Sequence, residues 1–142
     1  MWMDTMKISH HNLAIELNDS WWAEAGMDGF KPASTAYRVK MDDTHYRSIF
    51  EIKIDEVRPV QRDPGVAIFN DSAEATARER VVSILRGFRS GAPMPPVEVV
   101  SEPAGSLFRY KLVHGAHRFY CSVAVGFSHV PSVMGFDINA SG

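Results

Sequence analysis

The stretch Tyr110-Lys-Leu-Val-His-Gly-Ala-His-Arg-Phe-Tyr-Cys121 changes period in its middle. Phe108, Tyr110 and Leu112 alternate with Arg109 and Lys111, the pattern of a half-buried strand that ends at Gly115. Ala116 begins a helical pattern, with His117 and Arg118 in its first turn. A helix start leaves backbone N–H groups without intrahelical partners and carries partial positive charge, so it suits phosphate. Gly115 lets the backbone approach an anion closely, and a guanidinium at Arg118 can grip two of its oxygens.

Outward from this switch, Pro96-Val-Glu-Val-Val100 reads as a strand, and Pro103-Ala-Gly105 as the turn joining it to the strand of Tyr110 in a hairpin. Downstream, Phe119, Tyr120, Val123 and Ala124 form the expected core face of the helix, which closes at Gly126. Val130 to Met134 gives a last short strand, placed at a sheet edge by Pro131. Upstream, Asp71 with Glu74 resembles a capping box, followed by Ala77, Val81, Ile84, Leu85 and Phe88 at helical spacing. Arg78, Arg80, Arg86 and Arg89 populate its other faces, and Gly91 and Pro93 end it.

Phe50, Ile52 and Ile54 alternate with charged residues as a strand, and Pro59 and Pro64-Gly65 keep the next stretch irregular. Leu13, Ile15 and Leu17 mark a further strand, and Asp19 or Ser20 caps a short helical turn through Trp21, Trp22 and Ala25. Tyr37 to Val39 reads as one more short strand. The fold class is α+β: a compact mixed β-sheet with flanking helices. Residues 1–48 form an N-terminal extension that precedes or packs on a core domain of residues 49–142.

The 142 residues carry 15 Lys and Arg against 17 Asp and Glu, a net charge of −2 that does not advertise nucleic-acid binding. Cys121 is the only cysteine, so an internal disulfide is impossible. No apolar run approaches a membrane span, and the first residues lack a secretory pattern. A cytoplasmic protein without a membrane partner is expected.

Three segments together resemble the ParB/sulfiredoxin superfamily. They are Ile52-Lys-Ile-Asp-Glu-Val-Arg-Pro59 with Gln61-Arg-Asp-Pro64; Val82 to Gly91 with Pro95-Pro-Val-Glu-Val-Val100; and Leu112-Val-His-Gly-Ala-His-Arg118 with Gly126 and Val130-Pro131. The third is similar to the family's Gly-x-His-Arg or Gly-x-Arg-Arg box. The resemblance runs from about Phe50 to Phe136 and implies a nucleoside triphosphate, ATP or CTP with Mg²⁺, held at Gly115, Ala116, His117 and Arg118. It further suggests Arg62, in the loop after the first strand, and Gly91 as contacts. Phosphotransfer or hydrolysis is the activity it implies.

Two departures narrow that expectation. Ala116 stands where sulfiredoxins carry their cysteine, so sulfiredoxin activity is not expected. Few residues follow Phe136, so the reading is a stand-alone domain without a helix-turn-helix. The rival readings are a non-catalytic interaction protein with a protein partner, and a small DNA-acting protein or nuclease, with DNA not favoured. His114 either lines the same pocket or is a satisfied structural histidine, and Glu56 is a weak candidate base. Cys121 reads as a small buried residue, and His10-His11 as part of a flexible start without ligand spacing for a metal. Of Trp21 and Trp22, one is expected in the core and the other over a second face or a partner.

Overall fold

The computed structural model describes residues 5–40, 49–60, 67–71 and 74–135. Among them lie six strands in two sheets and three helices, a mixed α+β fold. The chain opens with a hairpin of β1 (Thr5–His10) and β2 (Leu13–Asn18), antiparallel with Ile8 opposite Ile15 and His10 opposite Leu13. One face of this ribbon buries Ile8, His10, Ile15 and Leu17, while Lys7, Ser9, Ala14 and Glu16 face out. The expected flexible start at His10-His11 is therefore wrong: His10 is a strand residue and is 2 % exposed.

Helix α1 (Asp19–Glu24) follows at once, capped by Asn18, whose Oδ1 accepts from the Ser20 amide at 2.9 Å. Neither Asp19 nor Ser20 is the cap. Trp21 and Trp22 are both half-buried and pack against the same core, so neither of them is fully inside. The strand expected at Tyr37 to Val39 shrinks to one isolated bridge between Val39 and Met94.

The second sheet has the order β3-β6-β4-β5, from β3 (Phe50–Lys53), β4 (Val97–Ser101), β5 (Tyr110–His114) and β6 (His129–Met134). β3 and β6 run antiparallel, β6 and β4 parallel, and β4 and β5 antiparallel. Ile54 leaves the alternation of β3 and starts a 3₁₀ turn, Ile54–Glu56.

β6 is an interior strand, which corrects the edge position inferred from Pro131. The Ile54 amide donates to Ser128 O, so the ladder bonds to β3 fall at alternate pairs, Ile52–Val130 and Phe50–Ser132. Pro131 sits between those pairs, and its missing donor faces β4 just before the parallel ladder begins at Val97–Ser132. Proline costs the sheet no bond at that one place.

Helix α2 (Ala77–Ser90) is closed by a capping box of Thr76 and Glu79, where the sequence pattern suggested Asp71 and Glu74. Asp71 still helps, since its Oδ1 accepts from the Ala77 amide at 2.7 Å. Gly91 ends the helix in the left-handed conformation, φ 74°. Helix α3 (Ala116–Val125) buries His117, Phe119, Tyr120, Cys121, Ser122 and Val125, a wider face than the expected one, and leaves Val123 and Ala124 half-buried.

A single apolar cluster joins the elements. Ile8, Ile15, Leu17, Met27 and Tyr37 share it with Val81, Leu85, Val97, Val99, Phe119 and Val130. The first segment thus supplies part of the core. β1 meets α3 through His10, whose ring lies 5.2 Å from that of Phe119, and α1 meets α2 through the Glu24–Arg78 ion pair.

Candidate functional site

The strand-to-helix switch is where the sequence put it. β5 ends at His114, Gly115 takes φ 100°, and α3 starts at Ala116 with no side chain capping its first turn. The close approach that requires glycine is internal: a Cβ on Gly115 would lie 2.8 Å from Cγ1 of Val97 in β4. The turn is pressed onto the sheet by this contact and borders a cavity on another side.

A cleft of about 420 Å³ occupies that side, lined by Val60, Asn70, Arg80 and the run Leu112 to His117. Gly115, Ala116 and His117 thus share one cavity with His114, and His114 is exposed there. His117 is 7 % exposed, its ring 5.8 Å from Phe69, and its Nε2 accepts from the Asn70 amide at 3.4 Å. That acceptor role leaves the ring's other nitrogen, Nδ1, as the protonated one in the neutral side chain.

Arg118 does not line the cleft. Its Nη2 donates to Pro96 O at 3.3 Å, on the far side of the Gly115 turn, and its Nε is buried without a partner among the described residues. Tyr37 lies against it and donates to Pro95 O at 2.6 Å. Burial pushes the Tyr37 hydroxyl up to about 12, with the Arg118 charge and hydrogen bond pulling the other way. Arg118 ties α3 to the entry of β4 and to the first segment.

The arginine that reaches the cleft is Arg80, half-buried on the first turns of α2. Its side chain has no hydrogen-bond or ion-pair partner among the described residues. The sequence pattern placed Arg80 on a face of α2 away from the apolar stripe and singled out neither it nor Asn70 as a site residue. No local signal marks either, because each reaches the cleft only through tertiary packing. Arg62 lies outside the described residues. Gly91 caps the far end of α2, accepts from Nη1 of Arg38 at 3.5 Å, and does not line the cleft.

The remaining candidates resolve into structural roles. Glu56 pairs with Arg109 at 3.5 Å. Cys121 is fully buried, and burial alone pushes its thiol far above the ordinary range, so it is inert as a nucleophile. On α2, Arg78 pairs with Glu24 and Arg86 donates to Glu24 O at 3.3 Å, which removes them from a free basic face. No carboxylate is among the described residues lining the cleft. No helix among the described residues is long and apolar enough to cross a membrane.

Comparison with known proteins finds no matching family model, no matching curated protein and no matching solved structure.

Proposed function

We propose that the chain is a stand-alone ParB/sulfiredoxin-like domain that binds a nucleoside triphosphate in the cleft before α3. The observation that carries this reading is the uncapped start of α3 opening onto a cavity that Arg80, His114 and His117 share. The backbone amide of Ala116 at the helix start would hold phosphate oxygens, and the guanidinium of Arg80 would offset their charge. Arg118 acts one layer behind, fixing the turn that presents that amide.

The lining favours binding over turnover. Among the described residues its acid–base side chains are His114 and His117, and Nε2 of His117 is already an acceptor for Asn70. Ala116 adds no nucleophile and the thiol of Cys121 is sealed in the core. An interaction protein that senses nucleotide for a protein partner fits this lining better than a phosphotransferase.

Titration with ATP, CTP and GTP, each with Mg²⁺, tests the reading in wild type and in Arg80→Ala. Wild type binds at least one of them, and loss of a hydrogen bond to a charged group weakens Arg80→Ala by about 1.5–3 kcal/mol, or roughly tenfold to a hundredfold. Absence of binding in wild type, or equal affinity in the two proteins, sinks it. Phosphate release measured on the same samples separates turnover from binding alone.

A further inference from the structure

The tip of the first hairpin is held by two histidines. Nε2 of His10 lies 3.0 Å from Ile54 O and Nε2 of His11 lies 2.7 Å from Asp55 O, so consecutive carbonyls of the 3₁₀ turn hold consecutive rings. A carbonyl only accepts, so each Nε2 carries the proton. In neutral His10 this leaves Nδ1 bare, and that atom is buried without a hydrogen-bond partner among the described residues. Around it stand the rings of Phe119, at 5.2 Å, and Tyr120, at 5.8 Å, both on α3 and fully buried.

We infer that this hairpin tip is an acid-released latch: neutral His10 holds it closed, and a proton on Nδ1 opens it. The added proton would need an acceptor, and the closed tip offers aromatic rings in its place. The titratable and charged groups facing His10 are His11 on the same turn, Asp55 on the 3₁₀ turn and Tyr120 on α3. Burial, the largest influence, lowers the His10 pKa; the hydrogen bond to Ile54 and the Asp55 charge oppose it, and His11 adds to it. Opening relieves the backbone as well, because His11 is the one described non-glycine residue with positive φ, 55°.

Release would reach beyond the tip. Tyr120 accepts from the Val60 amide at 2.9 Å, and Val60 is a wall of the cleft before α3. Any effect on ligand binding rests on the proposed function, whereas the opening itself does not.

Hydrogen exchange, corrected for the intrinsic rate, tests the latch at about pH 7.5 and about pH 5.5 in wild type, His10→Gln and His11→Gln. In wild type the β1 and β2 amides lose protection on acidification by up to about tenfold per pH unit, the limit for one proton, and at the lower pH they exchange faster than the β4 and β6 amides, which open only with the whole molecule. Glutamine at position 10 can still donate to Ile54 O but does not titrate, so His10→Gln keeps its hairpin protected at both values. His11→Gln retains the wild-type response. Unchanged wild-type protection, β1 and β2 amides as well protected at the lower pH as those of β4 and β6, or the same loss in His10→Gln overturns the inference. If His10→Gln does not fold, the wild-type imidazole decides: its ring-proton resonance must titrate in the interval where the hairpin opens, and separate intervals overturn the latch.

Discussion

At the scale of single residues, the two glycines with the tightest surroundings predict opposite sensitivities. A Cβ on Gly115 would meet Val97, a fully buried β-branched residue in the middle of the sheet order, and its φ of 100° disfavours any side chain. Neither term can relax, so Gly115→Ala should cost about 2–4 kcal/mol, read as a fall in the urea midpoint at constant slope. A Cβ on Gly87 would come within 1.8 Å of Cε of Met94, which is a closer clash on paper. That atom is the end of a flexible chain, and alanine regains about 1 kcal/mol of helix propensity, so Gly87→Ala should stay within about 1 kcal/mol of wild type. The same contrast explains what was legible here. The change of period at Gly115 is written in adjacent residues. The direction of Arg118 is set by Tyr37 and Pro96, far from it in sequence, and cannot be read locally.

At the scale of elements, α2 shows how a correct motif can be placed one step too early. Asp71-Ser-Ala-Glu74 and Thr76-Ala-Arg-Glu79 both fit the capping pattern, and the second carries the box. Thr76 Oγ1 accepts from the Glu79 amide at 3.1 Å, and Glu79 Oε1 reaches back to the Thr76 amide at 3.3 Å. Thr76→Ala should therefore cost about 1 kcal/mol by chemical denaturation. Asp71→Ala removes a bond to the next amide, Ala77, and should cost a similar amount. β1 was missed for another reason. Met6, Ile8 and His10 alternate with Thr5, Lys7 and Ser9, but a histidine at an inward position reads as polar and breaks the pattern. β6 was misplaced because proline forbids a ladder bond on one side only, and sequence does not say where the neighbour's ladder starts.

At the scale of the whole molecule, the first segment and the sheet domain share one core, so acid should act on both through two separable groups. An unfolded histidine ionises near 6.5, and burial holds folded His10 below that value. Between the two values the unfolded chain binds the extra proton, so stability is full above 6.5 and falls as pH drops towards the folded value. Glu102 provides the second step. Its carboxylate accepts from Nε and Nη2 of Arg58 at 2.6 and 2.7 Å, and this hydrogen bonding holds it below the usual 4.5. Its contribution is present above 4.5 and is lost as pH falls through the folded value, the same sign at lower pH. Urea midpoints taken from about pH 8 to about pH 3 should decline in two stages, neither steeper than about 1.4 kcal/mol per pH unit for one proton. His10→Gln should flatten the upper stage and leave the lower one, and Glu102→Gln should do the reverse. A single decline shared equally by both variants would show that the hairpin and the sheet do not titrate as separate parts of one cooperative core.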